Sequence, residues 1–234
     1  MLILGIEASG NSASVALVQA QTTLASVTRQ DRHGHAGWIT EMVDGLLMDA
    51  SRNFSEISHI AVGCGPGSFT GIRVGLAAAH GYTIGLDIPV FGVSSLASLA
   101  DGVAANQRVL ALIDTRRGHI FAQVFLGGKA ISEVYDAPED DLVNHLSAHI
   151  SPDDNQGSAG LFVHGFAASA IANILAEHGH VITQFQDADP NAIMAATMVA
   201  SRIQAGETAA DFLATPHYRS SPLLGPSKAK SGQG

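Results

Sequence analysis

The chain has 234 residues, 46% of them hydrophobic and only 14% charged, with a net charge of −9. That length supports one large domain or two small ones with real cores, and the apolar content excludes a disordered chain. An acidic chain does not grip a phosphate backbone unaided, because that affinity comes from Lys and Arg, and no basic stripe is present. The single cysteine excludes an internal disulfide and fits a reducing, cytoplasmic setting. No apolar run approaches the ~18 residues of a membrane span, and the opening segment carries no basic leader.

In chain order, Leu2 to Glu7 reads as a buried strand, Ala8-Ser9-Gly10-Asn11 as a turn, and Ala13 to Val18 as the returning strand. A third strand covers Thr22 to Arg29. A helix follows from Ala36 to Ala50, with Ile39, Met42, Val43, Leu46 and Leu47 on one face. Two readings of that face stand: packing on a sheet of the same domain, or contact with another subunit. Ile57 to Gly63 is a short strand, Thr70 to Leu86 a helix, and Pro89 to Val93 a strand. Ser94 or Ser95 caps a helix in which Leu96, Leu99, Ala100 and Val103 share a face.

The second half restarts the pattern. Arg108 to Asp114 is an apolar strand, Thr115-Arg116-Arg117-Gly118 a turn, and His119 to Leu126 a strand. Leu4-Gly5-Ile6-Glu7 and Ala111-Leu112-Ile113-Asp114 are each an apolar strand ending in an acid, a weak internal duplication. Asp136 to Gly160, rich in Asp, Pro and Ser, reads as irregular. Leu161 to His164 is a strand and Phe166 to His178 a helix with Gly179 as its C′ residue. Asp189 caps a last helix with Pro190 at its first position, ending near Gly206. Alternating strands and helices imply an α/β chain. The expected division is 1–103 for a first lobe, 104–219 for a second, and 220–234 for a tail.

The most distinctive stretch is Gly65-Pro66-Gly67-Ser68-Phe69-Thr70-Gly71, a glycine-rich turn from strand into helix. Free backbone N–H groups at such a helix start favour an anion. The stronger reading from composition alone is a structural turn, since glycine-rich turns are common as plain structure. It is not a P-loop, because no Gly-Lys-Ser/Thr follows. The next helix carries Gly71, Gly75 and Ala79 at four-residue spacing, which lets an element approach closely, either within the domain or from another subunit. His33 and His35 are two apart, do not share a helix face, and make no metal site. There is no Gly-x-Ser-x-Gly elbow, and Cys64 has no evident base beside it in sequence.

The run from Ile60 to Gly75, with Gly63-Cys64-Gly65-Pro66-Gly67-Ser68-Phe69-Thr70-Gly71 at its centre, resembles the signature of the TsaB (YeaZ) family. Leu2 to Ser9, Gly92 to Leu96, Ile113 to Gly118 and Pro216-His217-Tyr218-Arg219 resemble the family's further motifs, so the likeness touches both halves. It implies a two-lobed actin-like (Hsp70, sugar-kinase) α/β fold with a reduced second lobe. It implies a non-catalytic partner subunit of the machinery that places threonylcarbamoyl on N6 of a tRNA adenosine. The catalytic subunit is then a TsaD-like chain, joined by a TsaE-like ATPase, with tRNA met through the complex and a homodimer when alone. Such family pairs meet through first-lobe helices, which nominates Ile39, Met42, Val43, Leu46, Arg73, Gly75 and Ala79 as contacts. Gly65, Gly67, Ser68, Phe69, Thr70 and Gly71 are the candidate nucleotide or phosphate loop, with ATP or ADP and Mg at the heterodimer junction. No catalytic or metal-binding residue is expected in this chain. Glu7 stands where the family usually has Asp, Ala8 where it has Thr, and Cys64 where many members have Arg, and the residue often found between Tyr218 and Arg219 is absent. The first two departures weaken the case for phosphate chemistry here, and the third removes a positive charge beside the glycine loop. The competing reading is a free-standing actin-like ATPase or kinase, with Glu7 and Asp114 as its acids.

Overall fold

A computed structural model describes residues 1–30, 37–150 and 159–217. His33, His35, Tyr218, Arg219 and the expected tail lie outside the described residues. The first five strands are β1 (Leu2–Glu7), β2 (Ser12–Gln19), β3 (Thr22–Gln30), β4 (His59–Gly63) and β5 (Val90–Val93). They form one sheet in the order β3-β2-β1-β4-β5. β1 pairs antiparallel with β2 and parallel with β4.

Strand alternation divides this sheet into two faces. Leu2, Leu4, Ile6, Val15, Leu17, Ile60 and Val62 point one way. On them pack α1 (Gly37–Asp49) and α2 (Phe69–Leu86), through Ile39, Met42, Val43, Leu46, Ile72, Leu76 and Ala79. Ile3, Val18, Ala61, Phe91 and Val93 point the other way, against α6 (Ala192–Gln204). The approach of α6 requires Gly5, because a Cβ there would overlap the Ala192 carbonyl. The last α-helix among the described residues therefore packs on the first sheet, although it follows the strands of the second.

The second sheet repeats the first one's plan. Its strands are β6 (Gln107–Asp114), β7 (His119–Leu126), β8 (Lys129–Ala130), β10 (Ala159–Gly165) and β11 (Ile182–Asp187), in the order β11-β10-β6-β7-β8. β9 (Tyr135–Pro138) adds to β7. As in the first sheet, the opening strand pairs antiparallel with its hairpin partner and parallel with a later strand. Leu110, Leu112, Ala122, Val124, Leu161 and Val163 meet α4 (Leu142–Ile150) and α5 (Ala168–Glu177). Val109, Ala111, Ile113, Phe121 and Phe125 meet α3 (Ser95–Leu99). Ala97 of α3 packs with both cores, and α3 and α6 fill the space between the sheets. His164 of β10 donates from Nδ1 to the Leu99 carbonyl at 2.6 Å, pinning the second sheet to the end of α3.

Three expectations are corrected. The helix after Ser94 ends at Leu99 rather than reaching Val103. Ser94 caps it through Ala97 N, and Gly102 follows at φ 73°. The stretch expected to be irregular from Asp136 holds the end of β9 and the whole of α4, whose Leu142, Leu146 and Ile150 are buried at four-residue spacing. The last helix is capped by Asn191 rather than Asp189, since Asn191 Oδ1 accepts from both Ile193 N and Met194 N at 3.1 Å.

Candidate functional site

β1 carries Glu7 into the turn before β2, and β4 delivers Cys64 and the glycine loop beside it. The Glu7 side chain is 1% exposed. Its Oε1 accepts from Ser9 N at 2.7 Å and its Oε2 from Ser95 Oγ at 2.8 Å, while Ser9 Oγ donates to Ser95 Oγ at 2.8 Å. Burial pushes this carboxyl up, and the bonds from Ser9 and Ser95 pull it partly back. Gly63 makes room for it, because a Cβ there would overlap the carboxylate. Cys64 is fully buried, and burial, then the nearby Glu7, pushes its thiol up to about 12. A thiol so held is a packed side chain rather than a nucleophile.

The glycine loop lies tightly against the first hairpin. Ser68 N donates to Ser9 O at 2.7 Å. Gly67, at φ 151°, has the Ser9 carbonyl where a Cβ would stand, and Gly71 has the Ala8 carbonyl there. Ser68 caps α2, its Oγ accepting from Gly71 N at 3.2 Å. Two of the donors that an anion would use, Ser68 N and Gly71 N, are thus engaged within the chain. Gly65, Gly67, Ser68, Phe69, Thr70 and Gly71 are brought together as one loop; close packing on Ser9 and Ala8 accounts for Gly67 and Gly71, and φ 89° beside the Ile72 side chain accounts for Gly65.

The nominated contact residues fare differently. Ile39, Met42, Val43 and Leu46 are at most 7% exposed, and Ala79 is fully buried, all in the core beneath α1 and α2. Gly75 faces Ile6, Val62 and Ala8 of the same chain. Those six are corrected from contact surface to core, because an amphipathic helix on a sheet turns this face to its own strands. Arg73 is exposed, with its guanidinium 3.7 Å from the Phe69 ring centroid. The outward faces carry residues that sequence reasoning passed over. Met48 of α1 is 81% exposed and Ile84 of α2 is 85% exposed. Near them Gly45, Gly81 and Gly85 leave open space where a side chain would stand. The clue in the sequence was an apolar residue on the polar side of each helix.

In the second half, Asp114 Oδ1 accepts from Arg116 N at 2.7 Å. The Arg116 side chain reaches the first hairpin, donating to Gly10 O at 2.7 Å and Asn11 Oδ1 at 3.2 Å. Asn11 in turn donates to Asp189 at 3.4 Å. Burial holds the Asp189 carboxyl up. A 540 Å³ cavity opens at the ends of β10 and β11, lined by Gly165, Ala167, Ser169 and Asp187 among others. Ser169 donates from both N and Oγ to Asp187, whose carboxyl those bonds hold low. A carboxylate therefore already occupies the start of α5, where an anion would otherwise be favoured. Among the described residues no cluster of three His, Cys, Asp or Glu could hold a metal, and no helix is long and apolar enough to cross a membrane.

Two sheets of one plan, each opening on a hairpin whose first strand ends in an acid, define the actin-like α/β class. Solved structures agree. YeaZ from Pseudomonas aeruginosa aligns with a TM-score of 0.70 at 24% identity, over 93% of this chain and 99% of that one. A ROK hexokinase from Thermus thermophilus aligns with a TM-score of 0.51 at 13% identity, over 88% and 100%. The family described as "TsaD: tRNA N6-adenosine threonylcarbamoyltransferase" matches residues 22–210. The chain is also 37% identical over 124 residues to the tRNA threonylcarbamoyladenosine biosynthesis protein TsaB of Escherichia coli, covering 52% of this chain and 53% of that protein. The chain belongs to this family, on its TsaB (YeaZ) side. The matched stretch spans about half the length of the curated relatives.

Proposed function

We propose that this chain is a non-catalytic partner subunit in the formation of threonylcarbamoyladenosine on tRNA, holding a TsaD-like catalytic subunit in a competent state. A TsaE-like ATPase joins the pair, ATP or ADP with Mg sits at the junction, and tRNA is reached through the complex. The observation that carries the reading is the engagement of Glu7. An acid that handles metal-bound phosphate must present its oxygens to an open cleft, and both oxygens of Glu7 face inward onto Ser9 and Ser95. The outward faces of α1 and α2, with Met48, Arg73 and Ile84, are the docking surface in this reading. A glycine inside an exposed helix costs about 1 kcal/mol relative to Ala. Among the described residues, Gly45, Gly81 and Gly85 have no neighbour within 4 Å of a Cβ to require them, which favours close approach by another helix. Without its partner, the same surface supports a homodimer.

The second reading, a free-standing ATPase or kinase of the same fold, rests on the cavity at the ends of β10 and β11. Size-exclusion chromatography with light scattering, on this chain mixed with the TsaD-like protein of the same source, separates the two. A stoichiometric complex, with no ATP turnover by the lone chain, is the expected result. Absence of a complex with and without ATP and Mg²⁺, together with turnover by the lone chain, overturns the partner-subunit reading in favour of the second.

A further inference from the structure

Glu7 is a carboxylate buried to 1% exposure, and among the described residues no lysine, arginine or histidine pairs with it. Burying such a group is costly unless hydrogen bonds compensate it, so what those bonds are made to is informative. Its bonds lead to both ends of the glycine loop. Oε1 holds Ser9 N, and the Ser9 carbonyl accepts from Ser68 N at 2.7 Å, just before α2 begins. Oε2 holds Ser95 Oγ, and Ser95 N donates to the Gly65 carbonyl at 2.9 Å, where the loop leaves β4. The bond from Ser9 Oγ to Ser95 Oγ closes the circuit. The loop cannot drift toward the hairpin, because the Ala8 and Ser9 carbonyls already lie where Cβ atoms at Gly71 and Gly67 would be. Glu7 thus fixes the loop from both sides, and the loop sets where the first turn of α2, with exposed Thr70 and Arg73, stands on the surface.

We propose that Glu7 is a positioning residue: through Ser9 and Ser95 it clamps the Gly65–Gly71 loop and so presents the outward face of α2 to the partner. The docking half of this proposal rests on the partner-subunit reading; the clamp itself does not. It also accounts for Glu in place of a shorter acid. The extra methylene lets one carboxylate span two serines that come from different crossings of the sheet, after β1 and after β5.

The test is hydrogen exchange together with partner affinity, on the full chain, for Glu7→Ala, Glu7→Gln and Ser95→Ala. In Glu7→Ala the amides of residue 65 and residues 67–71 exchange at least about tenfold faster, while β6, β7 and β10 keep their protection. Affinity for the TsaD-like subunit falls by about tenfold in parallel. Glu7→Gln has the same reach, and its NH₂ can donate to Ser95 Oγ once the hydroxyl chain reverses, so it restores most of both. Ser95→Ala removes one arm, loosens the Gly65 end of the loop, and decides the matter should Glu7→Ala fail to fold. Unchanged loop protection in both Ala variants overturns the clamp, and so does a Gln variant as loose as Glu7→Ala. A loosened loop with unchanged affinity overturns the link to docking. Failure of the wild-type chain to bind the partner refutes the partner-subunit reading, and the exchange pattern still judges the clamp.

Discussion

The two sheets share one plan, β3-β2-β1-β4-β5 beside β8-β7-β6-β10-β11, and each opening strand ends in an acid that accepts an N–H from two residues on. What surrounds the acids differs. Glu7 is sealed under serines and a glycine loop, whereas Asp114 is half-exposed and its turn reaches across to the first hairpin through Arg116. The helix that follows differs as well. α2 has 18 residues and a snug glycine turn before it, while α5 has 10 and starts under the Asp187 carboxylate. One topology thus serves two ends: in the first sheet it braces a long surface helix, and in the second it closes the molecule on itself. The same strand-end acid can be a clamp or a turn residue, and only its surroundings decide which.

The sharpest way to break that comparison is at the glycines where each parallel strand hands over to its helix. Gly71 stands against the Ala8 carbonyl, and Gly165, at φ 126°, against the Leu112 carbonyl. Both obstacles are backbone, so neither can swing away. Gly165→Ala adds left-handed strain to overlap and is expected to cost about 4 kcal/mol or more. Gly71→Ala suffers overlap alone and is expected to cost about 3 kcal/mol. Urea melts of the two variants check this, and a cost under about 1 kcal/mol for either would show that the hairpins are looser than the packing implies.

Most of this plan was legible because strand alternation and helical spacing are local signals. The repeated apolar strand, acid, turn and strand at Leu4–Glu7 and Ala111–Asp114 announced two related halves, and the Gly65–Gly71 turn was found where it lies. The failures were tertiary. α4 was hidden because the acids of residues 139–141 and the surrounding Pro and Ser outweighed three buried residues, Leu142, Leu146 and Ile150. The Asp189-Pro190 start lost to Asn191 because Asp189 faces Asn11 across the chain and is not free to cap. The contact residues follow from the family resemblance, which names the helices but not their faces, and an apolar stripe marks the face a helix buries while staying silent on what buries it. Serines at positions 9 and 95, 86 residues apart, gave no hint of meeting on one carboxylate.

Buried titrating groups offer a subtler test, since each half has one of opposite kind. Burial raises the Glu7 carboxyl, so the unfolded chain releases its proton as pH rises through the ordinary 4.5 while the folded chain still holds it. Folding stability from this group is therefore greatest below 4.5 and is lost as pH rises toward the folded value. Burial lowers the His164 imidazole, so the unfolded chain takes up a proton as pH falls through the ordinary 6.5 while the folded chain does not. That contribution is present above 6.5 and is lost on acidification. Thermal melts should show Glu7→Gln gaining on the wild type as pH rises above 4.5, and His164→Gln gaining on it as pH falls below 6.5. Parallel curves would mean that neither group is desolvated in solution as it is in the fold.

The smallest expected effect separates what α2 does for the fold from what it does outside it. Gly81 lies in the same helix as Gly71, but a Cβ there meets nothing within 4 Å among the described residues. By helix propensity alone, Gly81→Ala should stabilise the lone chain by about 0.5–1 kcal/mol, since alanine loses less backbone freedom on folding. If the outward face of α2 docks against another helix, the added methyl should at the same time weaken that contact. Measured together, a rise in Tm with a loss of partner affinity is the expected pair. A rise in Tm with affinity unchanged would leave the glycine without a role in docking and move the contact toward Arg73 and Ile84. A fall in Tm would mean that Gly81 is already packed against something in the lone chain, as in a homodimer, and dilution should then restore the expected gain.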